Sequence, residues 1–555
     1  MKLKGSDIIV RTLIEQGVDC VFGYPGGTVI DIYDSLYKYA DQIHHVLTAH
    51  EQGAAHAADG YARATGKVGV CIATSGPGST NLVTGIATAF LDSIPMVAIT
   101  GNVAMAQIGT DSFQELDITG VTLPITKHNF FVSDSSQLAG TIRAAFELAM
   151  SGRPGPVLVD IAKNAQAATA EYEPADPVRP TYSFAADKAK VAEAAELINS
   201  SKRPYVYFGG GAVTSHTEPQ ILQLADMIDA PIGCSLMGIS AIPTDSERFL
   251  GMEGMHGHFA STRAITNADC IVALGVRFND RSTGNRKKFA RSAKIVHIDI
   301  DESELSKTVA DAVDLHGDLA LTLRELLPLI DRKQRPEWAE QVRGYVERER
   351  AGADTRDGLT PRNVMRTLQG HLGARTPVVT DVGQHQMWAA QYLKFSLRRT
   401  FISSGGLGTM GFGMGAAIGA QMGTGEHVAL ITGDGSFGMN LNEMATAVTN
   451  GVPLVILLLN NGVLGMVRQQ QRFICSKRYS NVDLNRRTDF VALAKAFGAD
   501  GTRVSSLEEL DAALTTAFAA DGPYLVEVPI DKEELVLPMM LPGGTLDNLI
   551  VEDGE

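Results

Sequence analysis

A carboxylate and two amides follow two apolar runs in the last third of the chain. The turn Gly433-Asp434-Gly435-Ser436 comes after the apolar run 427–432, and Asn460-Asn461 follow the run 454–459. Glycines in such a turn let backbone N–H groups approach an anion, and carboxylate and amide oxygens suit Mg²⁺. A Gly-Asp-Gly turn alone is usually only a turn. The second polar strand end favours a site for Mg²⁺ and a diphosphate, because the ends of parallel strands lie side by side.

A second candidate is Glu51, in the first third of the chain. It follows the apolar run 43–47 and opens an Ala-rich segment that we expect to form a tightly packed helix. An acid in a first helical turn often does no more than interact with the helix dipole. The residues by themselves favour that interpretation.

The elements around these two candidates follow the same order. Residues 86–89, then Pro95 and an apolar strand, match 444–447, then Pro453 and an apolar strand, and the stretch 155–161 matches 522–528. Ordered matches at similar separations favour a duplicated α/β unit. After the Asp434 turn, the helical spacing predicts a helix from Leu441 to Val448.

Between the two copies, strands alternate with helices and predict a third parallel sheet. Three of these strands end at Gly209-Gly210-Gly211, at Gly275 and at Asp299, which is typical of a dinucleotide site. We therefore predict an α/β protein with three doubly wound parallel-sheet domains, the first and third related by duplication. The predicted bounds are 1–166, 184–335 and 360–540, followed by a C-terminal tail, 541–555.

Composition narrows the class of protein. The chain has 555 residues and a net charge of −15, which argues against a nucleic-acid partner. Residues 1–7 lack the apolar core of a signal peptide, and no apolar run is long enough to span a bilayer. The scattered cysteines favour a reducing compartment. We expect a cytoplasmic protein without a membrane partner. The cysteines are Cys20, Cys71, Cys234, Cys270 and Cys475.

The two strand-end motifs resemble the thiamine diphosphate motif of a superfamily of decarboxylases and carboligases. Ordered blocks along nearly the whole chain resemble the acetohydroxyacid synthase family within it. The resemblance implies that Asp434, Asn461 and the carbonyl of Val463 ligate Mg²⁺, and that Glu51 contacts the aminopyrimidine ring of thiamine diphosphate. It assigns the remaining contacts to this cofactor to Gln384, His385, Gly408, Met410, Gly433, Gly435, Ser436 and Met466.

The same resemblance implies a flavin and a substrate channel. Besides Glu51, it places Gly27, Phe113, Gln114 and Lys127 among the catalytic residues. It implies a structural FAD in the central domain, because the net reaction is not redox. The residues assigned to FAD are Arg153, Gly209, Gly210, Gly211, Met255, His256, Gly275, Arg277, Arg281, Asp299 and Asp318.

The implied activity is the decarboxylation of pyruvate and its condensation with a second 2-keto acid. The product would be 2-acetolactate or 2-aceto-2-hydroxybutyrate, in the first common step of branched-chain amino-acid biosynthesis. The family implies a homodimer or homotetramer, with or without a small regulatory subunit. Gln470 stands where many family members carry Trp, so acceptor preference stays open, as do valine inhibition and a biosynthetic rather than fermentative role.

Other interpretations are related enzymes and a different class of protein. Pyruvate oxidase, fermentative acetolactate synthase and glyoxylate carboligase share the cofactor motif. Glu51 argues against glyoxylate carboligase, which lacks this acid, and the loops with Phe113, Gln114 and Lys127 argue against the oxidase. A non-catalytic nucleotide-binding protein built from Gly-rich loops would have no need of Glu51.

Overall fold

The computed structural model describes residues 1–180 and 183–552. Over these residues the chain forms three six-stranded sheets and one two-stranded pair. Every strand pairing within the six-stranded sheets is parallel, and the strands are continuous apolar runs because helices cover both faces. The predicted α/β fold with three parallel-sheet domains is confirmed.

The first sheet lies in the N-terminal third of the chain. Its six strands are β2 Cys20–Gly23, β3 His44–Leu47, β4 Gly69–Ala73, β5 Met96–Asn102, β6 His128–Val132 and β7 Pro156–Ala162. β1 Lys2–Lys4 and β8 Thr169–Glu171 form the separate antiparallel pair. The helices are α1 Gly5–Glu15, α2 Ile30–Lys38, α3 Glu51–Thr65, α4 Pro77–Asn81, α5 Val83–Asp92, α6 Ile118–Thr122, α7 Leu138–Met150 and α8 Lys163–Ala167. The spatial order is β3-β2-β4-β5-β7-β6. The β1–β8 pair was not predicted from the sequence.

The central sheet is built from a different strand order. Its strands are β9 Pro204–Phe208, β10 Ile232–Cys234, β11 Phe249–Met252, β12 Cys270–Leu274, β13 Lys294–Asp299 and β14 Val313–His316. The helices are α9 Lys188–Ser200, α10 Gly210–Ser215, α11 Glu218–Met227, α12 Phe259–Asn267, α13 Asp280–Thr283, α14 Leu319–Leu326 and the following α15 Pro336–Ala351. In the spatial order β11-β10-β9-β12-β13-β14, β10 and β11 lie on one side of β9 and β12 to β14 on the other. The switch point between β9 and β12 is where ligands of open α/β sheets bind.

The third sheet repeats the order of the first. Its strands are β15 Val378–Thr380, β16 Phe401–Ile402, β17 Val428–Gly433, β18 Leu454–Asn460, β19 Asp500–Arg503 and β20 Tyr524–Pro529. The helices are α16 Pro361–Gln369, α17 Gln384–Tyr392, α18 Phe412–Thr424, α19 Asp434–Asn440, α20 Glu443–Thr449, α21 Gly465–Ile474, α22 Phe490–Phe497 and α23 Leu507–Phe518. In the order β16-β15-β17-β18-β20-β19, each strand takes the place of its counterpart in the first sheet, which supports the duplication.

One predicted helix has different bounds. Instead of one helix from Leu441 to Val448, the chain forms α19 directly from Asp434 and then α20. The Gly433-Asp434-Gly435 stretch is therefore the start of a helix rather than a separate turn. Its backbone N–H groups consequently face the strand end, where a helix N-terminus favours anions.

Small residues bring the first and third domains into close contact. Helix α3 packs on α18, and a Cβ added to Gly60 would lie 2.1 Å from the carbonyl oxygen of Ala416. A Cβ on Gly419 would lie 1.8 Å from the carbonyl oxygen of Ala57. Only glycine fits at these positions without moving the helices apart, so the Ala-rich composition of α3 serves this interdomain packing.

The C-terminal tail packs on the central domain. Met540 N–H donates to the Met255 carbonyl at 2.8 Å, and Met540 and Leu546 join the apolar cluster around Tyr207. Residues 553–555 of the predicted tail lie outside the described residues. Among the helices of residues 1–180 and 183–552, none combines the length and the apolar character that crossing a bilayer requires.

Candidate active site

The predicted metal ligands lie together at one edge of the third sheet. Gly433 at the end of β17 pairs with Leu459 of β18, so Asp434 and Asn461 follow adjacent strand ends. Asn461 Nδ2 donates to Gln384 Oε1 at 3.2 Å, and its Oδ1 accepts from Val463 N–H at 3.2 Å. Asp434, Asn461 and Val463 all line one small cavity.

The donor set of this small cavity suits a hard cation that shares its shell with phosphate. Burial raises the pKa of Asp434 to about 6, and nearby backbone N–H groups of Gly435, Gly462 and Asn461 oppose the rise. Within the described residues, no group of three or more His, Cys, Asp or Glu side chains could hold a metal. One carboxylate, one amide and one carbonyl, completed by phosphate and water oxygens, match Mg²⁺ rather than zinc.

The other residues predicted for the diphosphate surround the same cavity. Met410 and Met466 line it, together with Gln384, His385, Gly433, Gly435 and Ser436. Burial lowers the pKa of His385 to about 3, so the ring is neutral. Its Nε2 is buried and has no hydrogen-bond partner among the described residues, as expected where a polar ligand group binds. Gly408, on the loop before α18, lines the larger cavity described below instead.

Glu51, in the first domain, is not among the residues that line the small cavity. It is the first residue of α3 and is 9% exposed. Asn81 Nδ2 donates to Glu51 Oε2 at 2.9 Å, and a Cβ on Gly78 would lie 3.3 Å from Oε1. A Cβ on Gly76 would lie 2.9 Å from Cβ of Gln114. The turn after β4 therefore lies against both Glu51 and Gln114, and neither residue lines the small cavity with the predicted metal ligands.

The remaining predicted catalytic residues are more dispersed. The Gly27 carbonyl accepts from Lys163 at 3.0 Å, and Phe113 is 86% exposed on the loop before α6. Lys127 donates to the carbonyls of Leu148 and Ser151, at the end of α7. Burial lowers the pKa of Lys127 to about 8. Within this one chain, Lys127 is engaged by backbone and not by Glu51.

A larger cavity, of about 680 Å³, lies between the central domain and the other two. The switch in strand order between β9 and β12 lies at this cavity, which is also lined by Met410, Met466 and Gln470. Every residue predicted to hold FAD lines it: Arg153, Gly209, Gly210, Gly211, Met255, His256, Gly275, Arg277, Arg281, Asp299 and Asp318.

Local geometry in the larger cavity fits a dinucleotide. A Cβ on Gly211 would lie 2.7 Å from Cα of Gly275, so two strand-end loops touch through glycines. Arg153 reaches across from the first domain and donates to Asp301 at 3.1 Å and Glu304 at 3.0 Å. Nδ1 of His256 is buried without a partner among the described residues, which leaves it for a ligand.

Glu253 lines the same cavity and was not predicted from the sequence. It follows β11 and is 4% exposed, and its buried carboxyl lies near the hydroxyl groups of Tyr207 and Ser282. The signal that could have identified it is an acid within the otherwise apolar and Gly-rich stretch 249–257.

Comparison with known proteins assigns these domains to one family. The chain matches the family models of thiamine pyrophosphate enzymes: the N-terminal TPP binding domain over residues 3–121, the central domain over 191–326 and the C-terminal TPP binding domain over 381–528. It is 43% identical over 550 residues to the acetolactate synthase isozyme 2 large subunit of Escherichia coli K12, covering 99% of both chains. The chain belongs to the acetolactate synthase large-subunit family.

Other members of this family are similarly close. The probable acetolactate synthase large subunit of Methanocaldococcus jannaschii is 42% identical over 99% of this chain and 95% of the relative. The acetolactate synthase large subunit of Corynebacterium glutamicum is 42% identical over 98% of this chain and 89% of the relative. The family resemblance inferred from the sequence motifs is therefore confirmed along nearly the whole chain.

Proposed function

We propose that this chain is an acetolactate synthase catalytic subunit that joins two 2-keto acids, the first of them pyruvate, with loss of CO₂. The observation that carries the proposal is the adjacency of the two cavities: the small one has the oxygen donors, and the larger one shares Met410 and Met466 with it. The full-length similarity to acetolactate synthase large subunits supports the same activity.

The residues of the small cavity would hold Mg²⁺ and the diphosphate. Asp434, Asn461 and the Val463 carbonyl would provide the protein oxygens, and the N-terminus of α19 would face the phosphate charge. Thiamine diphosphate, when bound, supplies the electron-accepting ring on which a 2-keto acid loses CO₂. Met410 would pack against this cofactor, and Glu51 would exchange a proton with its ring nitrogen.

The larger cavity would hold FAD. Gly209–Gly211 would let the backbone approach its diphosphate, and Asp299 and Asp318 would lie along its adenosine half. The buried carboxyl of Asp299 has a raised pKa, chiefly from desolvation, so a polar ligand group beside it would be favourable. Because the condensation involves no net oxidation, the flavin would act structurally.

A homodimer would complete the active site. Within one chain Glu51 is not among the residues that line the small cavity with Asp434, so we infer that a second copy brings this acid to that cavity. Phe113 and Leu123, exposed by 86% and 69%, offer apolar surface for that contact. A homotetramer, a small regulatory subunit and a cytoplasmic location remain predictions from the sequence.

Product analysis on pyruvate alone tests the proposal. We expect acetolactate and CO₂ to form in a reaction that requires added Mg²⁺ and thiamine diphosphate, and the purified protein to have a flavin absorption spectrum. An added electron acceptor should not change the products. Acetate or acetyl phosphate formed only with the acceptor would indicate an oxidase instead, and a colourless protein that makes acetolactate would remove only FAD.

A further inference from the structure

Glu443 is a buried acid of the third domain that contacts the backbone of the first domain. It is the first residue of α20 and is fully buried. Its Oε2 accepts from the Ala49 N–H group at 3.2 Å and from the Thr446 hydroxyl group at 2.7 Å. The Thr446 hydroxyl oxygen accepts from the same Ala49 N–H group at 3.0 Å. Two side chains of the third domain thus hold the backbone two positions before Glu51.

The other carboxyl oxygen of Glu443 lies against the first turn of α3. A Cβ added to Gly53 would lie 2.1 Å from Glu443 Oε1 and 2.3 Å from its Cδ, so a side chain at position 53 would exclude the carboxyl group. Glycine is unfavourable within a helix, and the close approach of Glu443 explains its presence here. Glu443 therefore contacts the chain on both sides of Glu51, at Ala49 before it and at Gly53 after it.

The N-terminus of α3 explains why the contacting residue is an acid. The first N–H groups of a helix have no partner within the helix and carry partial positive charge. The ring of His50 accepts from the Gln52 N–H group at 3.1 Å, and Glu443 adds an acceptor from the neighbouring domain. Burial raises the pKa of Glu443, and hydrogen bonds that include those from the backbone N–H groups of Ala49 and His50 oppose this rise. These N–H groups therefore favour the ionised carboxylate.

We propose that Glu443 is a positioning residue, which holds the N-terminus of α3 so that the carboxyl group of Glu51 faces the cofactor ring. This inference rests on the proposed function, in which Glu51 exchanges a proton with that ring. The side chain of Glu51 is held separately by Asn81, whose Nδ2 donates to Glu51 Oε2 at 2.9 Å. Asn81 thus fixes the carboxyl group, and Glu443 fixes the backbone that carries it.

Two variants disturb this contact from opposite sides. Glu443→Gln keeps the size of the side chain, but its amide can accept through only one of its two polar atoms. Gly53→Ala leaves Glu443 unchanged and fills the space of its carboxyl group. For both we expect kcat for acetolactate formation to fall by at least about tenfold, since a displacement of about 1 Å can cost about 10²-fold. The KM for pyruvate should change little, because Glu443 is not among the residues that line the two cavities.

Amide hydrogen exchange in the cofactor-free protein reports the state of α3 without any turnover. Exchange at residues 49–54 should be at least about tenfold faster in both variants, because a contact that opposes local opening is lost. Tyr61→Phe is the matched control. It removes the hydrogen bond from Tyr61 to Asp19 at 2.5 Å, farther along the same helix. This control should retain the native exchange at residues 49–54 and the native kcat.

A double variant tests whether Glu443 acts through Glu51. Glu443→Gln should lower kcat in the native chain but not in the Glu51→Gln chain, where no acid remains to be positioned. An equal loss in both chains would overturn the proposal, because a general disturbance of the structure does not depend on Glu51. Native kcat, or native exchange at residues 49–54, in a folded Glu443→Gln protein would overturn it as well.

The same variants separate this proposal from the proposed function. If Glu51→Gln alone keeps the native rate, the proposed role of Glu51 fails and the role of Glu443 fails with it. If Glu51→Gln is slow and Glu443→Gln is not, only the positioning role fails. Should Glu443→Gln not fold, Gly53→Ala and its combination with Glu51→Gln decide by the same criteria.

Discussion

The first and third domains share a fold down to a buried polar pair, yet they differ at their strand ends. Asn102 Nδ2 donates to Asp160 at 2.6 Å in the first domain, and Asn460 Nδ2 donates to Glu527 at 2.7 Å in the third. In both, the asparagine lies two positions beyond the residue that pairs with the acid across the sheet. Both copies have thus kept an interior contact between equivalent strands, which joins β5 to β7 in the first domain and β18 to β20 in the third.

The differences begin where these strands end. In the third domain the next residue is Asn461, and α19 begins at Asp434 directly after β17, so two oxygen-bearing side chains lie at this edge of the sheet. In the first domain the turn after β4 is Ser75-Gly76-Pro77-Gly78, which leaves room for Glu51. This difference is the basis for proposing that one copy holds the metal and the other supplies an acid. The comparison indicates that function diverged at the loops while packing preserved the sheets.

The largest effect is expected from removing the acid that distinguishes the first domain. Glu51→Gln should lower the rate of acetolactate formation by about 10³-fold, because general acid–base groups contribute about 10²–10⁴-fold. Binding of Mg²⁺ and the diphosphate should change little, since the residues proposed to hold them belong to the third domain. Steady-state kinetics would measure the rate of acetolactate formation, and tryptophan fluorescence during cofactor titration would measure cofactor binding.

Glu171→Gln, at an exposed strand of the same domain, is the control and should retain the native rate. A Glu51→Gln protein that binds the cofactor normally and still makes acetolactate at the native rate would contradict the division of work between the copies. It would also favour a non-catalytic explanation of the Glu51 pocket.

Mixing two inactive variants should show on which chains the two halves of a site lie. Glu51→Gln and Asp434→Ala chains, each inactive alone, are unfolded and refolded together. If a site uses Glu51 of one chain and Asp434 of the partner, half of the dimers are mixed and one of their two sites is intact. Activity should then recover to about a quarter of the native value. No recovery, with mixed dimers demonstrated by mass spectrometry, would indicate that both residues act within one chain.

Apolar runs predicted the sheets, whereas the residues of the cavities were predicted mainly from strand ends and family motifs. Apolar runs such as 454–459 identify buried parallel strands because both of their faces pack against helices. Asp434 and Asn461 were found because each directly follows such a strand. Glu253 was not predicted because its environment is formed by Tyr207 and Ser282, which are distant from it in the sequence. The start of α19 at Asp434 was missed because glycines normally indicate a turn.

A contact between the two copies should be important for stability. Asp92, at the end of α5, accepts from Arg63 at 2.9 Å and from the N–H groups of Gly405 and Gly406 at 3.0 and 2.7 Å. These glycines belong to the third domain, on the loop that leads to Met410. Asp92→Asn leaves one N–H group without an acceptor and Asp59 as the remaining carboxylate partner of Arg63, and should lower the free energy of unfolding by about 2–3 kcal/mol. Urea denaturation would measure this loss.

The matched control is Glu193→Gln, which breaks the exposed pair with Lys190 at 2.8 Å. Exposed pairs contribute little, so this change should cost less than about 0.5 kcal/mol. Equal losses for the two variants would mean that Asp92 contributes no more than a surface charge. The interdomain contact would then depend on the α3–α18 packing alone.

The smallest effect concerns the shared polar pair, where the two copies should respond in opposite directions. Burial raises the pKa of Asp160 to about 6, against the hydrogen bonds from Thr100 and Asn102. A raised pKa means that the folded protein binds this proton more tightly than the unfolded chain. The stabilisation is thus complete below about pH 4 and is lost as pH rises through 6. Asp160→Asn removes that loss, so it should increase stability at pH 7.5 by about 1–3 kcal/mol relative to its effect at pH 4.

Glu527→Gln is the counterpart in the third domain. It replaces a carboxylate that accepts from Asn460 with an amide, and a hydrogen bond to a neutral acceptor is weaker, so stability should fall by about 1 kcal/mol at pH 7.5. Melting temperatures of both variants and the native chain at pH 4 and pH 7.5 would separate the two cases. If both variants shift in the same direction at pH 7.5, the two copies of the pair are electrostatically equivalent. Their divergence would then be confined to the strand ends, where Asp434 and Glu51 distinguish them.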